Sequence, residues 1–153
     1  MNKYDLRITK SLTYQLHGGP YRNKPDDMLG VKMAKEINLP YEVSIPTRDF
    51  DVPKLSDLNK GIEQVLQLIA KGKSLYVGCA GGIGRTGLLF AILSKLFGSS
   101  TPIKDVREGY NPHAVETEDQ KGIVNDFTPT LKIKLLVLWV KIVATVFSTF
   151  NRL

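Results

Sequence analysis

The stretch SLYVGCAGGIGRTGLLFAILSKLFG (74–98) decides how the rest of the chain is read. It begins with SLYVG (74–78), a short apolar run of strand length. CAGGIGRTG (79–87) then crowds Gly81, Gly82, Gly84 and Gly87 into one turn, and LLFAILSKLFG (88–98) reads as a buried helix. A helix amino terminus carries unpaired backbone N–H groups and the positive end of the helix dipole, which together attract anions. The glycines let the backbone close around a phosphate with its amides turned inward. Cys79 opens this turn and Arg85 stands six positions later, at the start of the helix. Amides and a guanidinium around a cysteine favour the nucleophilic thiolate. The arginine fork can also clamp two phosphate oxygens in a geometry that lysine lacks.

Three readings of the turn compete on these residues. The spacing Cys-x5-Arg-Thr suits a cysteine-dependent phosphatase. Gly82, Gly84 and Gly87 also satisfy G-x-G-x-x-G, but no strand ending in an acidic residue follows the helix at the distance a dinucleotide site requires. A degenerate Walker loop would need glycine where Cys79 stands and lysine where Arg85 stands. A turn serving only tight packing leaves the Cys79–Arg85 spacing unexplained, so the phosphatase reading leads.

Working outward, residues 5–16 alternate weakly and predict one or two short strands, and HGGPYRNKPDD (17–27) reads as a loop. Asp26 and Asp27 followed by Met28, Val31, Met33, Ala34 and Ile37 predict a helix ending at Pro40. YEVSI (41–45) reads as a strand, TRDFDVPKLSD (47–57) as a loop and LNKGIEQVLQLIAKGK (58–73) as a helix. Shorter helices are expected at 102–109 and 116–126. Strands alternating with helices, with no repeat or linker, predict a single α/β domain with a central, mostly parallel sheet flanked by helices.

The 153 residues suit one domain, and 42% hydrophobic with 24% charged residues excludes disordered and low-complexity classes. Cys79 is the single cysteine, so no internal disulfide can form, and with only His17 and His113 a structural zinc site is not expected. The net charge of +6 favours anionic partners without choosing among phosphate, nucleic acid and membrane. MNKYDLRITK (1–10) has no apolar signal-peptide core, so the expected location is cytoplasmic.

VGCAGGIGRTG (77–87) resembles the signature loop of the cysteine-dependent protein tyrosine phosphatase superfamily, which includes the dual-specificity phosphatases. IPTRDFDVP (45–53) resembles that family's general-acid loop, with Asp49 standing 30 residues before Cys79. NPHAVETEDQ (111–120) resembles the segment that follows the signature helices. The resemblance covers residues 41–126 well, the first 40 poorly and the tail hardly at all. It implies a single phosphatase domain over 1–153, with 127–153 as an apolar or amphipathic helical extension.

It also implies a chemistry. Cys79 would attack phosphorus and form a cysteinyl-phosphate. Arg85 and the turn residues Ala80, Gly81, Gly82, Ile83 and Gly84 would hold the phosphate oxygens. Asp49 would protonate the leaving oxygen and later help activate water, with Asp51 as the alternative acid. Thr86 would hydrogen-bond the sulfur, and Gln120, with Glu116, would orient the water. Glu116 also reads simply as the first-turn residue of a helix. No metal or other cofactor is expected. The implied substrate is a phosphorylated protein or peptide, because residues 80–84 lack the lysines of the superfamily's phosphoinositide phosphatases. An RNA 5′-phosphatase and a phosphate-binding pseudophosphatase remain alternatives.

Three positions depart from the family pattern: Gly78 replaces the usual histidine, Thr47-Arg48 stands for Trp-Pro, and Glu116 replaces a glutamine. Gly78 puts the poise of the thiolate in question. Tyr14, Tyr21 and Arg22 are candidates for contacts at the pocket rim, and His17 for a place near it.

LKIKLLVLWVKIVATVFSTF (131–150) is largely apolar, with Lys134, Lys141, Thr145 and Ser148 on one narrow helical stripe. Lys141 near its middle argues against a membrane span. A helix packed over the domain is the leading reading, and an interfacial membrane helix or a contact with a partner subunit is the alternative.

Overall fold

The computed structural model describes residues 2–147 and 150–153. A mixed sheet forms its centre, in the order β1 (Asn2–Arg7), β2 (Leu12–Pro20), β5 (Leu75–Cys79), β3 (Leu29–Ala34) and β4 (Val43–Thr47). β1 and β2 form an antiparallel hairpin, whereas the pairs β2·β5, β5·β3 and β3·β4 are all parallel. A two-residue strand, β6 (Asn151–Arg152), adds antiparallel to the start of β2. The sheet is thus mostly parallel, as the sequence pattern predicted.

β5 lies between two parallel neighbours and all five of its residues are buried, which is why it carries an unbroken apolar run instead of alternation. Its chain leads through the glycine turn into α2 (Gly84–Leu96), buried continuously from Gly84 to Ser94. α2 packs against β5 and β1 and gathers α3 (Pro102–Gly109) and α4 (Glu118–Asp126) around it. α1 (Leu55–Ala70) buries Leu58, Ile62, Val65, Leu66 and Ile69, a stripe of helical spacing, and packs on β4. α5 (Leu131–Val146) lies along α1 and buries Ile133, Val137, Val140, Val143 and Ala144. Ser148, the last member of the predicted tail stripe, falls outside the described residues.

The segment read as a helix from Asp26 to Ile37 is instead a turn at Asp26–Asp27 followed by β3. Its apolar residues fall at helical spacing, but β3 is enclosed between β4 and β5 and buried from Gly30 to Ala34. Such a strand loses the alternation that separates strand from helix in a sequence. Lys32 fits there because its ammonium donates to the Ile37 carbonyl and stands 5.0 Å from the centre of the Tyr41 ring.

His17, Gly18 and Gly19, read as loop, are in β2, paired in parallel with Tyr76, Val77 and Gly78. Their glycines serve close approach: a Cβ on Gly18 would stand 2.5 Å from the Tyr110 hydroxyl and 3.1 Å from the Thr86 methyl.

Candidate active site

The carboxyl end of β5 and the first turn of α2 bring the signature residues to one small cavity. It measures about 130 Å³ and is lined by Asp49, Phe50, Cys79, Gly81, Ile83, Gly84, Arg85, Glu116 and Gln120. Asp51 is not among the lining residues. Cys79 is 3% exposed, and its Sγ accepts from the Gly82 amide at 3.2 Å and from the Thr86 hydroxyl at 3.4 Å. Two donors therefore already face the sulfur.

Gly82 has φ +71°, and a Cβ at this position would collide with the backbone of Gly19. Its carbonyl accepts from the Tyr110 hydroxyl. The turn is thus held from β2 on one side and from the end of α3 on the other. A Cβ on Gly84 would collide with the Glu116 carboxylate, and one on Gly87 would stand 2.5 Å from the Ala114 side chain. The first-turn amides of α2 meet the turn without intrahelical acceptors.

Arg85 is 2% exposed. Its Nη1 donates to Glu36 Oε2 at 2.9 Å and to the Thr47 carbonyl at 2.8 Å, and its Nη2 donates to Glu36 Oε1 at 2.7 Å. A guanidinium has five N–H donors. With these three committed, the Nε–H and the second Nη2–H remain as one edge of the fork. Asp49 Oδ1 lies 3.3 Å from Nη2. The Arg85 guanidinium in turn holds the Glu36 carboxyl below its ordinary range, chiefly by hydrogen bonding and against the opposing effect of burial. Glu36 had no signal in the sequence: it follows a strand read as helix and lies 49 residues from Arg85.

Asp49 is 58% exposed at its side chain and belongs to a loop with few anchors. Asp51 closes a local turn, accepting from the Val52 amide at 2.8 Å, and its carbonyl accepts from Gln120 Nε2 at 3.1 Å. Phe50 between them has φ +59°, and it is exposed.

Gln120 is buried, and both ends of its amide are engaged: Oε1 accepts from the Glu116 amide at 2.8 Å while Nε2 holds Asp51. Thr117 caps α4 by accepting from the Gln120 amide at 3.1 Å, while the Gln120 side chain reaches back past the cap to the Glu116 amide.

The surroundings of Gly78 give a steric reason for the missing histidine. A Cβ there would stand 2.6 Å from Tyr21 Cα and 2.9 Å from the Gly19 carbonyl oxygen. The backbone following β2 occupies the space where a histidine would begin. Tyr21 itself is buried, with its hydroxyl donating to the Pro40 carbonyl at 2.6 Å, and the Tyr14 hydroxyl donates to the Lys73 carbonyl. Both are core residues and not rim contacts. His17 does not line the cavity, and burial keeps its imidazole below its usual range.

Comparison with known proteins agrees with this layout. A family model described as "Polymorphic toxin system, DSP-PTPase phosphatase" matches residues 26–98. Two uncharacterized proteins of Methanocaldococcus jannaschii are similar, one 36% identical over 54% of this chain and 56% of its own length. The other is 37% identical over 59% of this chain and 55% of its own. The chain thus spans about half the length of the curated relatives it matches. Among solved structures, Tk-PTP in its active form superimposes with a TM-score of 0.59 at 22% identity, over 80% of this chain and 95% of that one. A glycine-to-alanine mutant form of Tk-PTP gives 0.56 at 23% identity, over 66% and 76%. The solved structures match the fold, and the family model matches just under half of the chain, the segment holding Asp49, Cys79 and Arg85: over residues 26–98 the chain is similar to the dual-specificity-type protein tyrosine phosphatases.

Proposed function

We propose that this protein hydrolyses phosphate monoesters on phosphorylated proteins or peptides through a cysteinyl-phosphate intermediate. The observation that carries the reading is the convergence of Cys79, Arg85 and Asp49 on one cavity of phosphate size. The Cys79 thiolate attacks phosphorus in line with the leaving oxygen, forming the S–P bond as the P–O bond breaks. Oxygen atoms of the transferring group take the free edge of the Arg85 fork and the amides of residues 80–85. Asp49 delivers a proton to the leaving oxygen, and as a carboxylate it then takes one from the water that cleaves the S–P bond. Thr86 hydrogen-bonds the sulfur and eases its departure in that second step.

Gln120 is assigned a different emphasis from that expected of it: with both amide ends on backbone, it supports the acid loop at Asp51 and reaches water only by exchanging a partner. Glu116, packed on Gly84 and lining the cavity, stands where it can meet that water. The chemistry is carried by a thiolate, a carboxyl and a fixed cation, so the mechanism calls on no metal.

The test is hydrolysis of p-nitrophenyl phosphate without added metal by wild type and Cys79→Ser, followed across the acid to neutral range. Turnover that is blocked by vanadate and lost in the serine variant is expected. Equal turnover by both proteins would remove Cys79 from the nucleophile's role. Vanadate binding without turnover would turn the assignment to a binding module.

A further inference from the structure

The helix α5 presents apolar side chains on two opposite sides. Ile133, Val137, Val140 and Ala144 are buried toward α1. Leu131, Leu135, Leu138, Trp139, Ile142 and Val146 are exposed, with Trp139 at 53%. At roughly 100° per residue this second set forms one arc centred opposite the first. A single exposed leucine needs no explanation, but six large apolar side chains on one arc of one helix do.

The charges around that arc identify what it meets. Lys134 and Lys141 border it on one side by the same helical arithmetic, and Lys132, paired with Glu63 at 3.1 Å, borders it on the other. From Leu131 to Leu153 the chain holds three lysines and one arginine, with no aspartate or glutamate. A second copy of the chain packed symmetrically on this face would set Lys134 and Lys141 near their own counterparts, with no carboxylate on α5 to meet them. An anionic surface meets both features together, because lysine stems can lie along the apolar arc while their ammonium groups reach outward to phosphate. Trp139 supplies the aromatic ring that favours a membrane–water boundary. Between α5 and α1 a groove of about 600 Å³, with Ala70, Leu136, Trp139, Val143, Phe147 and Lys71 in its lining, continues the apolar surface. Among the described residues no helix is long and apolar enough to cross a membrane, so α5 would lie in the plane of the interface.

We propose that the outer face of α5 docks this protein onto the surface of an anionic phospholipid membrane. The contact uses none of the residues of the phosphate cavity, so it stands or falls apart from the proposed hydrolysis.

Trp139 is the single tryptophan of the chain, which makes its fluorescence a reporter built into the surface. The full chain is titrated with phosphatidylcholine vesicles, with and without phosphatidylglycerol. The expected result is a blue shift of Trp139 emission with the anionic vesicles, reversed by high salt and equal in Cys79→Ser. Lys134→Glu with Lys141→Glu should weaken the binding roughly tenfold or more, since each basic residue near such a surface contributes about 1 kcal/mol. Leu138→Glu with Ile142→Glu should abolish it, with an unchanged thermal melt showing that the fold is kept. No shift with either vesicle, or equal binding to both, overturns the proposal. So does a concentration-dependent dimer that the Leu138→Glu, Ile142→Glu variant dissolves, which would assign the face to a second copy of the chain.

Discussion

The glycine turn at 79–87 and the proposed acid loop at 48–54 contribute to one cavity but are held in place by different means. In the turn, Gly82, Gly84 and Gly87 each have a neighbouring atom where a Cβ would go, and Cys79, Arg85 and Thr86 are buried. Its shape is over-determined by packing against β2, Tyr110, Glu116 and Ala114. The acid loop is mostly exposed, and a few polar contacts tie it down: an Asp51 amide to Arg48 carbonyl turn, the Gln120 amide and the Asp49–Arg85 ion pair. One of those contacts ends on the very cation that a phosphate would engage. The proposed nucleophile and its cation are therefore prebuilt, whereas the proposed acid is held in part by an interaction that a substrate phosphate would share. Replacements in the two regions should differ in kind, the first acting on fold and chemistry together and the second on chemistry alone.

Arg85→Lys should show the largest effect, with kcat for an aryl phosphate lowered roughly 10³-fold, because an ammonium cannot serve Glu36, the Thr47 carbonyl and a phosphate edge at once. A loss of less than tenfold would mean that the fork's geometry is not used. Gly82→Ala tests the packing side directly. A side chain at φ +71° against the Gly19 backbone should cost about 2–4 kcal/mol in the denaturant midpoint. Gly78→His should likewise destabilise the protein and leave kcat no higher, since its space is already filled by the backbone at Tyr21.

On the loop side, Asp49→Asn should lower kcat roughly 10²-fold with little change in the melting temperature, while Asp51→Asn should stay within about twofold, as it lies outside the cavity. The reverse pattern would make Asp51 the acid. Glu36→Gln bridges the two regions and should have a smaller effect, a roughly tenfold loss in kcat/KM from a less firmly oriented Arg85. It also carries a pH signature. Arg85 lowers the Glu36 pKa in the folded chain, so the carboxylate's stabilising contribution is complete above its unfolded value and lost as pH falls through its folded one. The stability gap between wild type and Glu36→Gln should shrink as pH falls from the ordinary carboxylate range through the lower folded-state value.

What the sequence disclosed follows the same division. The Cys79–Arg85 spacing and the glycines between them are local, so the strand, turn and helix around the site could be read directly, as could the amphipathic α1. β3 was hidden because a strand covered on both faces has no alternation, and the valine and methionines near it fall at helical intervals. Glu36 was hidden because its partner is brought to it only by the parallel pairing of β3 with β5. The function of Gly78 required knowing that the chain leaving β2 passes beside it. A residue whose purpose is to leave room discloses it only when the occupant of that room is known.

The place of β2 at the side of β5 bears on how small a working unit could be. Residues 26–98, the segment that matches the family model, contain the thiol and the guanidinium but neither Gly19, which braces Gly82, nor Gln120 and Tyr110, which reach the loop and the turn. Cut out alone, that segment would turn β5 from an inner strand into an outer one, with a row of unpaired amides and carbonyls beside the nucleophile. Such an edge recruits other chains. The proposed nucleophile, cation and acid all lie within fewer than half of the residues, yet a fragment holding only those would be more prone to polymerise than to keep its shape.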